Sequence, residues 1–320
     1  MTVNDQLQKF MFDAAPVRGE IVSLRSTWQE VLARRAYPAA VRSVLGEMMA
    51  ACALLAANLK FDSTFIMQIF GDGPVNLLVV QCGPNLAMRA TAHLADGAMI
   101  DDEATLAELV NVSGRGRCAI TLDPGDKRPG QQSYQGIVPL ADQDGPLPSI
   151  AAVLEHYMHH SEQLDTRLWL AAKDEGAAGM LLQKLPDDGG GDSNSASQPE
   201  RDAHAWERVC ALGNTLTRDE LLEQEPQALL GKLFWQEDVR LFAPLAAHFH
   251  CSCSRQKVGA MLYMLGRDEV NSVLAEQGRI EIHCDYCNQR YEFDAVDVAQ
   301  LFLANGLPHG IASAKQSHHH

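Results

Sequence analysis

Two close-spaced cysteine pairs constrain this chain more than any other feature. Cys251 and Cys253 form a C-x-C, and Cys284 and Cys287 form a C-x-x-C thirty residues further on. A fold that brings two such pairs together makes an all-sulfur tetrahedral site, which suits Zn²⁺ better than any other common ion. The C-x-C half is unusual, because most zinc ribbons and fingers space their first pair by two or more residues. Four thiols in one place are also a target for oxidants. The cluster therefore reads either as a structural staple or as a redox trigger.

At 320 residues the chain exceeds one compact core of ordinary size, so two or three folded units are expected. A composition of 46% hydrophobic and 21% charged residues is that of a globular protein. The net charge of −15 argues against a nucleic-acid partner, whose phosphates demand clustered Lys and Arg. The opening MTVNDQLQKFMFDAA has no basic-then-apolar signal pattern. The longest apolar run, Met48 to Leu59, falls short of the roughly 20 residues that span a bilayer, so no membrane partner is expected. These features predict a cytoplasmic protein, and in a reducing compartment paired cysteines mean metal or redox chemistry before structural disulfides.

Residues 1–185 read as an α+β core domain. Val17–Leu24 has strand character after Pro16, and Val44, Leu45, Met48, Met49, Cys52, Leu55, Ala56 and Leu59 recur at the spacing of an amphipathic helix over about 39–60. Thr64–Phe70 and Val75–Val80, separated by Gly71-Asp72-Gly73-Pro74, predict a hairpin. Ala87–Ala92, Arg117–Leu122 and Ser133–Leu140 predict further strands of the same, largely antiparallel sheet. A helix at about 149–160, a strand around Thr166–Ala171 and a last segment near Gly179–Leu185 complete the domain.

Residues 186–200 read as a flexible tether. Asp187–Glu200 carries no apolar side chain larger than Ala and cannot bury enough surface to offset its ordering entropy. Residues 201–245 read as a helical connector: Thr217-x-x-Glu220 fits a capping box, and Pro226 fits the first turn of a helix that continues through Leu229, Leu230, Leu233 and Phe234. Too short to stand alone, this connector is expected to lean on a neighbour. Residues 246–305 form the metal module, with five Lys and Arg against eight Asp and Glu, and 306–320 a tail ending in a Ser317–His320 string of purification-tag character. No internal repeat is visible.

With its cysteine pairs placed behind an α/β core and a helical connector, the chain resembles the redox-regulated heat shock protein 33 chaperone family, from roughly Val17 to Phe302. The resemblance rests on Gly71-Asp72-Gly73-Pro74, Tyr134-Gln135-Gly136, Ser161-Glu162-Gln163-Leu164 followed by Thr166, and Ala177-Ala178-Gly179-Met180-Leu181-Leu182. Its most specific part is Cys251-Ser252-Cys253-Ser254-Arg255, then Leu274-Ala275-Glu276-Gln277-Gly278, then His283-Cys284-Asp285-Tyr286-Cys287. The Gly/Ser-rich stretch at 187–200 looks like an insertion relative to that pattern. The resemblance implies an ATP-independent holdase for unfolding client proteins, a homodimer in its active form, with one Zn²⁺ per chain on Cys251, Cys253, Cys284 and Cys287 when reduced.

Zinc binding and folding are one event in so small a module. An apparent affinity of about 10–16 kcal/mol rivals the whole stability of a small domain, so removing the metal should unfold residues 246–305. Oxidation to a sulfenic acid and then a disulfide consumes the ligands. Near-neighbour pairing, Cys251 with Cys253 and Cys284 with Cys287, is the simplest outcome and the one by which the family is understood to operate. A C-x-C disulfide closes a very small ring and is readily reduced again. In the reduced state the module is expected to pack on or beside the connector and keep it folded over the core. Once the connector loses that support, Leu212, Leu216, Leu221, Leu222, Leu229, Leu230, Phe234 and Trp235 are expected to contribute to an apolar client surface.

Two rivals belong to other classes: a zinc-ribbon module for nucleic acid or protein with a purely structural zinc, and a thiol oxidoreductase using Cys284-Asp285-Tyr286-Cys287. The acidic balance disfavours the first, and the absence of a βαβ setting disfavours the second. Cys52, Cys82, Cys118 and Cys210 read as buried small hydrophobes, with Cys210 the foremost exception because its segment is expected to unfold. His156 and His160, four apart on a helix, lack a nearby acid motif, and His248, His250 and His283 flank a ligand shell already complete. Gly114-Arg115-Gly116-Arg117 reads as a turn rather than a phosphate loop, since no Lys-Ser/Thr and no helix follow. No Ser/His/Asp order, carboxylate pair or dinucleotide fingerprint calls for an enzyme.

Overall fold

Strand Val17–Leu24 is buried at seven of its eight positions, so its neighbours must cover both faces. The computed structural model, which describes residues 5–59, 63–125, 133–186 and 198–306, shows how this is done. The strand lies inside a sheet ordered Thr166–Lys173, Gly176–Lys184, Val17–Leu24, Gln6–Phe12, Val239–Leu241, with Leu245–Ala246 also paired to Gln6–Phe12. Every pairing in it is antiparallel. A second sheet runs His248–Phe249, Ala87–Leu94, Val75–Gly83, Ser63–Phe70, Arg117–Pro124, Tyr134–Pro139, antiparallel except where His248–Phe249 pairs with Ala87 and Met88.

Helix Ala39–Ala56 touches strands of both sheets, and thirteen of its eighteen residues are buried. It is the one helix among the described residues long and apolar enough to cross a membrane, but its apolar surface is taken up by the two sheets. Small side chains make this possible. A Cβ on Gly46 would stand 2.5 Å from the Cβ of Ala172, so the helix reaches the Thr166–Lys173 strand only because that position is bare. Helix Ile150–His160 starts at Ser149, whose Oγ accepts from the Ala152 amide at 3.2 Å.

The opposite face of the first sheet is covered by helices Gln198–Gly213, Arg218–Glu223 and Pro226–Leu233. Phe10, Phe12, Ile21, Met180 and Leu182 from the sheet meet Val209, Leu221, Leu229 and Leu230 from the helices, and Phe234 just beyond the last of them, in one apolar cluster. The Phe234 ring packs edge-on to Phe12 with centroids 4.9 Å apart, a favoured aromatic geometry. The expected capping box is present: the Glu220 amide donates to Thr217 Oγ1 at 3.2 Å and the Thr217 amide to Glu220 Oε2 at 3.1 Å.

The strands of the core lie where the apolar runs between turn residues place them, yet the single sheet expected from sequence is in fact two, with the Ala39–Ala56 helix between them. Strand Gln6–Phe12 and helix Ser26–Leu32 were not anticipated. They are joined by Asp5, whose carboxylate accepts from the amides of Arg25 at 2.6 Å, Ser26 at 3.0 Å, and Thr27. The helical pattern of the expected connector stops at Leu233. Beyond it the chain turns extended and enters both sheets, because Val239–Leu241, Leu245–Ala246 and His248–Phe249 find unpaired strand edges there. Most of the expected tether, 187–197, and the tail from 307 lie outside the described residues.

The chain divides into two units, one ending at His250 and one beginning at Cys251. The second holds helices Arg255–Leu265, Arg267–Gln277 and Ala295–Gly306 and a hairpin pairing Ile280–His283 with Arg290–Phe293. Among the described residues its buried core is small: Leu262, Val270, Ile280, Phe293, Val298 and Phe302. Met264, Leu265, Val296 and Leu303 are exposed.

The close approach at Gly46 sets two effects against each other. Gly46→Ala gains up to about 1 kcal/mol of helix propensity, whereas overpacking against Ala172 costs about 1–3 kcal/mol. Net destabilisation is expected as a lower urea midpoint, with recovery in the Gly46→Ala/Ala172→Gly double variant. An unchanged or raised midpoint in the single variant would contradict the packing.

Candidate metal centre

The four cysteines arrive from two directions within the second unit. Cys251 and Cys253 lie in the segment that leads into helix Arg255–Leu265. Ser254 caps that helix, its Oγ accepting from the Lys257 amide at 3.2 Å, while Lys257 Nζ donates to the Ser252 carbonyl at 2.8 Å. Two ordinary capping contacts thus fix the backbone between and just after the first pair.

Cys284 and Cys287 occupy the turn of the hairpin. The Cys284 amide donates to the Gln289 carbonyl at 3.0 Å, and the Asn288 amide to the Cys284 carbonyl at 2.8 Å. Asn288 takes φ of 57°, a left-handed conformation that asparagine tolerates better than most residues. The turn aims the backbone N–H groups of Tyr286 and Cys287 at the Cys284 sulfur, and that of Gln289 at the Cys287 sulfur.

All four sulfurs lie within 4.8 Å of one another. Cys251 and Cys284 are 3.7 Å apart, and Cys253 and Cys287 are 3.3 Å apart. A regular tetrahedron with metal–sulfur bonds of about 2.3 Å has edges of about 3.8 Å, so the cluster has the dimensions of a four-thiolate metal site. Burial pushes the Cys284 and Cys287 thiols above their ordinary range, and the backbone N–H groups offset this only in part. Holding all four as thiolates therefore calls for positive charge at their centre, which a bound cation provides. The donor set and its spacing fit a metal ion.

Sequence reasoning passed over Tyr291. Its hydroxyl donates to Cys253 Sγ at 3.1 Å, and that hydrogen bond, with burial, pushes the hydroxyl pKa up to about 12. The one available signal was position: Tyr291 follows the C-x-x-C on the return strand of the hairpin, where side chains alternate between faces. His283 Nε2 donates to the Glu281 carboxylate at 2.9 Å, and the sulfur group itself contains no histidine.

Candidates elsewhere have other roles. Cys52, Cys82 and Cys118 are fully enclosed, and burial pushes the thiols of Cys82 and Cys118 up to about 12, which makes them inert. Cys210 is also buried and pushed up to about 12. His156 and His160 stack with ring centroids 4.1 Å apart. At the Gly114–Arg117 turn the amides of Arg115 and of the preceding Ser113 donate to the Asp72 carboxylate at 2.9 and 3.1 Å, so these donors hold an internal acid of the hairpin turn.

Comparison with known proteins agrees with this architecture. A family profile described as "Hsp33 protein" matches residues 5–294. The chain is 48% identical over 320 residues to the 33 kDa chaperonin of Chromobacterium violaceum, covering 100% of this chain and 99% of that protein. It is 46% identical over 304 residues to the 33 kDa chaperonin of Methylobacillus flagellatus, covering 94% and 96% respectively. The crystal structure of a 33 kDa chaperonin (heat shock protein 33 homolog) from Thermotoga maritima shares the fold, with a TM-score of 0.74 at 22% identity, over 94% of this chain and 99% of that one. On profile, identity and fold together, the chain belongs to the Hsp33 family.

Proposed function

We propose that this chain is a redox-regulated, ATP-independent holdase that binds unfolding proteins and prevents their aggregation under oxidative and heat stress. The observation that carries the reading is a four-sulfur cluster set in a unit whose core has, among the described residues, six buried apolar side chains. In a unit so thinly packed, cohesion must come from something other than hydrophobic burial. One Zn²⁺ per chain on Cys251, Cys253, Cys284 and Cys287 would supply it, holding the sulfurs as thiolates and cross-linking the hairpin turn to the start of the Arg255–Leu265 helix.

The cysteines are the groups that respond. A thiolate attacks the O–O bond of a peroxide, giving a sulfenic acid and hydroxide, and a second thiolate displaces hydroxide from that sulfur to form a disulfide. Two peroxides therefore convert four thiolates to two disulfides. All sulfur–sulfur distances in a tetrahedral cluster are similar, so spacing alone does not choose the partners. Pairing Cys251 with Cys253 and Cys284 with Cys287 joins only residues already close in sequence. It removes the ligand set without replacing the cross-link, whereas bridges between the pairs would restore it. The unit then loses its order.

The connector helices carry the consequence. With them lifted, Phe10, Phe12, Ile21, Met180 and Leu182 of the first sheet and Leu221, Leu229, Leu230 and Phe234 of the helices become available to apolar segments of clients. Trp235, 72% exposed already, extends that surface. The net charge of −15 keeps a loaded complex soluble and does not suit a phosphate backbone as partner. A homodimer in the oxidised form and a reducing cytoplasmic setting, where the thiols begin reduced, complete the proposal.

Treatment of the zinc-loaded protein with peroxide at heat-shock temperature is expected to release the metal, yield the two near-neighbour disulfides on peptide mapping, and suppress aggregation of an unfolded client. Metal retained under the same treatment would instead mark a structural staple. Cys284→Ser is expected to lower amide-exchange protection across 251–306 in reductant and to give partial chaperone activity without oxidant. A fully protected unit in that variant would break the link between metal and order. Tyr291→Phe, which removes only the hydroxyl donated to Cys253, is expected to weaken zinc affinity by about ten-fold in chelator competition while leaving the fold intact. An unchanged affinity would show the tyrosine to be a bystander.

A further inference from the structure

Several polar contacts fasten helix Arg218–Glu223 to the core, and one of them involves a buried charge. Glu47, in the middle of helix Ala39–Ala56, is 8% exposed, and its Oε1 lies 2.8 Å from the Arg218 guanidinium. Arg218 also donates to the Leu170 carbonyl at 3.2 Å, on the edge strand Thr166–Lys173. One guanidinium on the connector thus grips the core helix and the sheet edge together. The neighbouring Lys173–Asp219 pair, 2.6 Å apart, is more than half exposed on both sides and adds little.

Among the described residues, Arg218 is the only other charged one lining the space around Glu47. Ser149 at the start of helix Ile150–His160, Leu168 and Leu170 on the edge strand, and Leu216 and Leu221 on the connector carry no charge. An ionised carboxylate among such neighbours is costly unless it is paired. We propose that Glu47 and Arg218 form an electrostatic latch: Arg218 neutralises a carboxylate sunk in the core, and the pairing sets how readily the connector is released. The inference deepens the proposed switch and rests on the connector's movement.

The pairing gives release a pH dependence of defined sign. Burial holds the Glu47 carboxyl above its ordinary range, with Arg218 pulling it down. Once the connector lifts, water reaches the carboxylate and the proton is held less tightly. The closed state therefore binds more protons as pH falls through the raised range, so acid favours closure and higher pH favours release. Removing Arg218 takes away the downward pull, which steepens the dependence and moves it towards neutral pH.

The test uses the full-length, reduced, zinc-loaded protein and reads amide-exchange protection across 205–233, corrected for intrinsic exchange, from about pH 6 to about pH 8. R218M is expected to lower protection by about ten-fold at the upper pH, to recover as pH falls, and to be rescued by E47Q in the double variant. R218K, which keeps the charge but cannot make both contacts at once, is expected to lose less protection than R218M and to keep the wild-type pH dependence. A loss in R218M that is equal at every pH and unrelieved by E47Q would mean Arg218 only packs, and the latch falls. Unchanged protection in R218M also sinks it. Client aggregation on the same metal-retaining samples separates the two ideas: protection lost without any gain in suppression leaves the latch standing and removes the holdase reading.

Discussion

A sheet with apolar side chains on both faces cannot be left uncovered on one. Val17 and Ile21 point to one side of the first sheet, Val22 and Leu24 to the other, and both sets are buried. Helix Ala39–Ala56 takes one face by fitting small side chains between two sheets. The helices Gln198–Gly213, Arg218–Glu223 and Pro226–Leu233 take the other. In the proposed switch, the surface offered to clients is then a core face whose ordinary cover has left. A sheet face built for helical side chains suits other apolar segments without demanding a particular sequence, as a holdase requires.

The two units differ in what holds them. The first has a continuous core of large apolar residues, including Trp28, Leu45, Met48, Met49 and Leu54. Among its described residues the second has six buried apolar side chains, a two-stranded hairpin and several exposed apolar side chains, a combination that is marginal on hydrophobic grounds alone. Four sulfurs at tetrahedral spacing lie in the weaker unit. A metal switch works best where the metal carries much of the stability, because its loss is then an unfolding event and not a local adjustment.

The proposed latch adds a second control within the first unit. Hydrophobic cover is graded and tolerant of substitution, whereas a buried carboxylate is either matched or not. Arg218 reaches round the edge strand to Glu47, so a small displacement of its helix would break the match before much apolar surface is uncovered. A threshold of that kind keeps a cover closed against thermal fluctuation and lets it leave once its support has gone.

Much of this was legible from local pattern. Apolar runs bounded by turn residues located strands such as Val17–Leu24 and Val75–Gly83, the Thr217–Glu220 box marked a helix start, and two cysteine pairs carried their ligand chemistry in residue type and spacing. An apolar run does not name a strand's partner, so one sheet was read where two stand, and the extended segment Val239–Leu241 passed as helix. By itself the sequence determined which side chains could bind metal, where the Arg218–Glu223 helix begins and which faces of the Ala39–Ala56 and connector helices are apolar, because these depend on residues a few positions apart. Only the tertiary structure decided that four sulfurs meet within 4.8 Å, that Tyr291 donates to one of them, and that Glu47 finds Arg218. Those pairings join residues distant in the chain, and no local period encodes them.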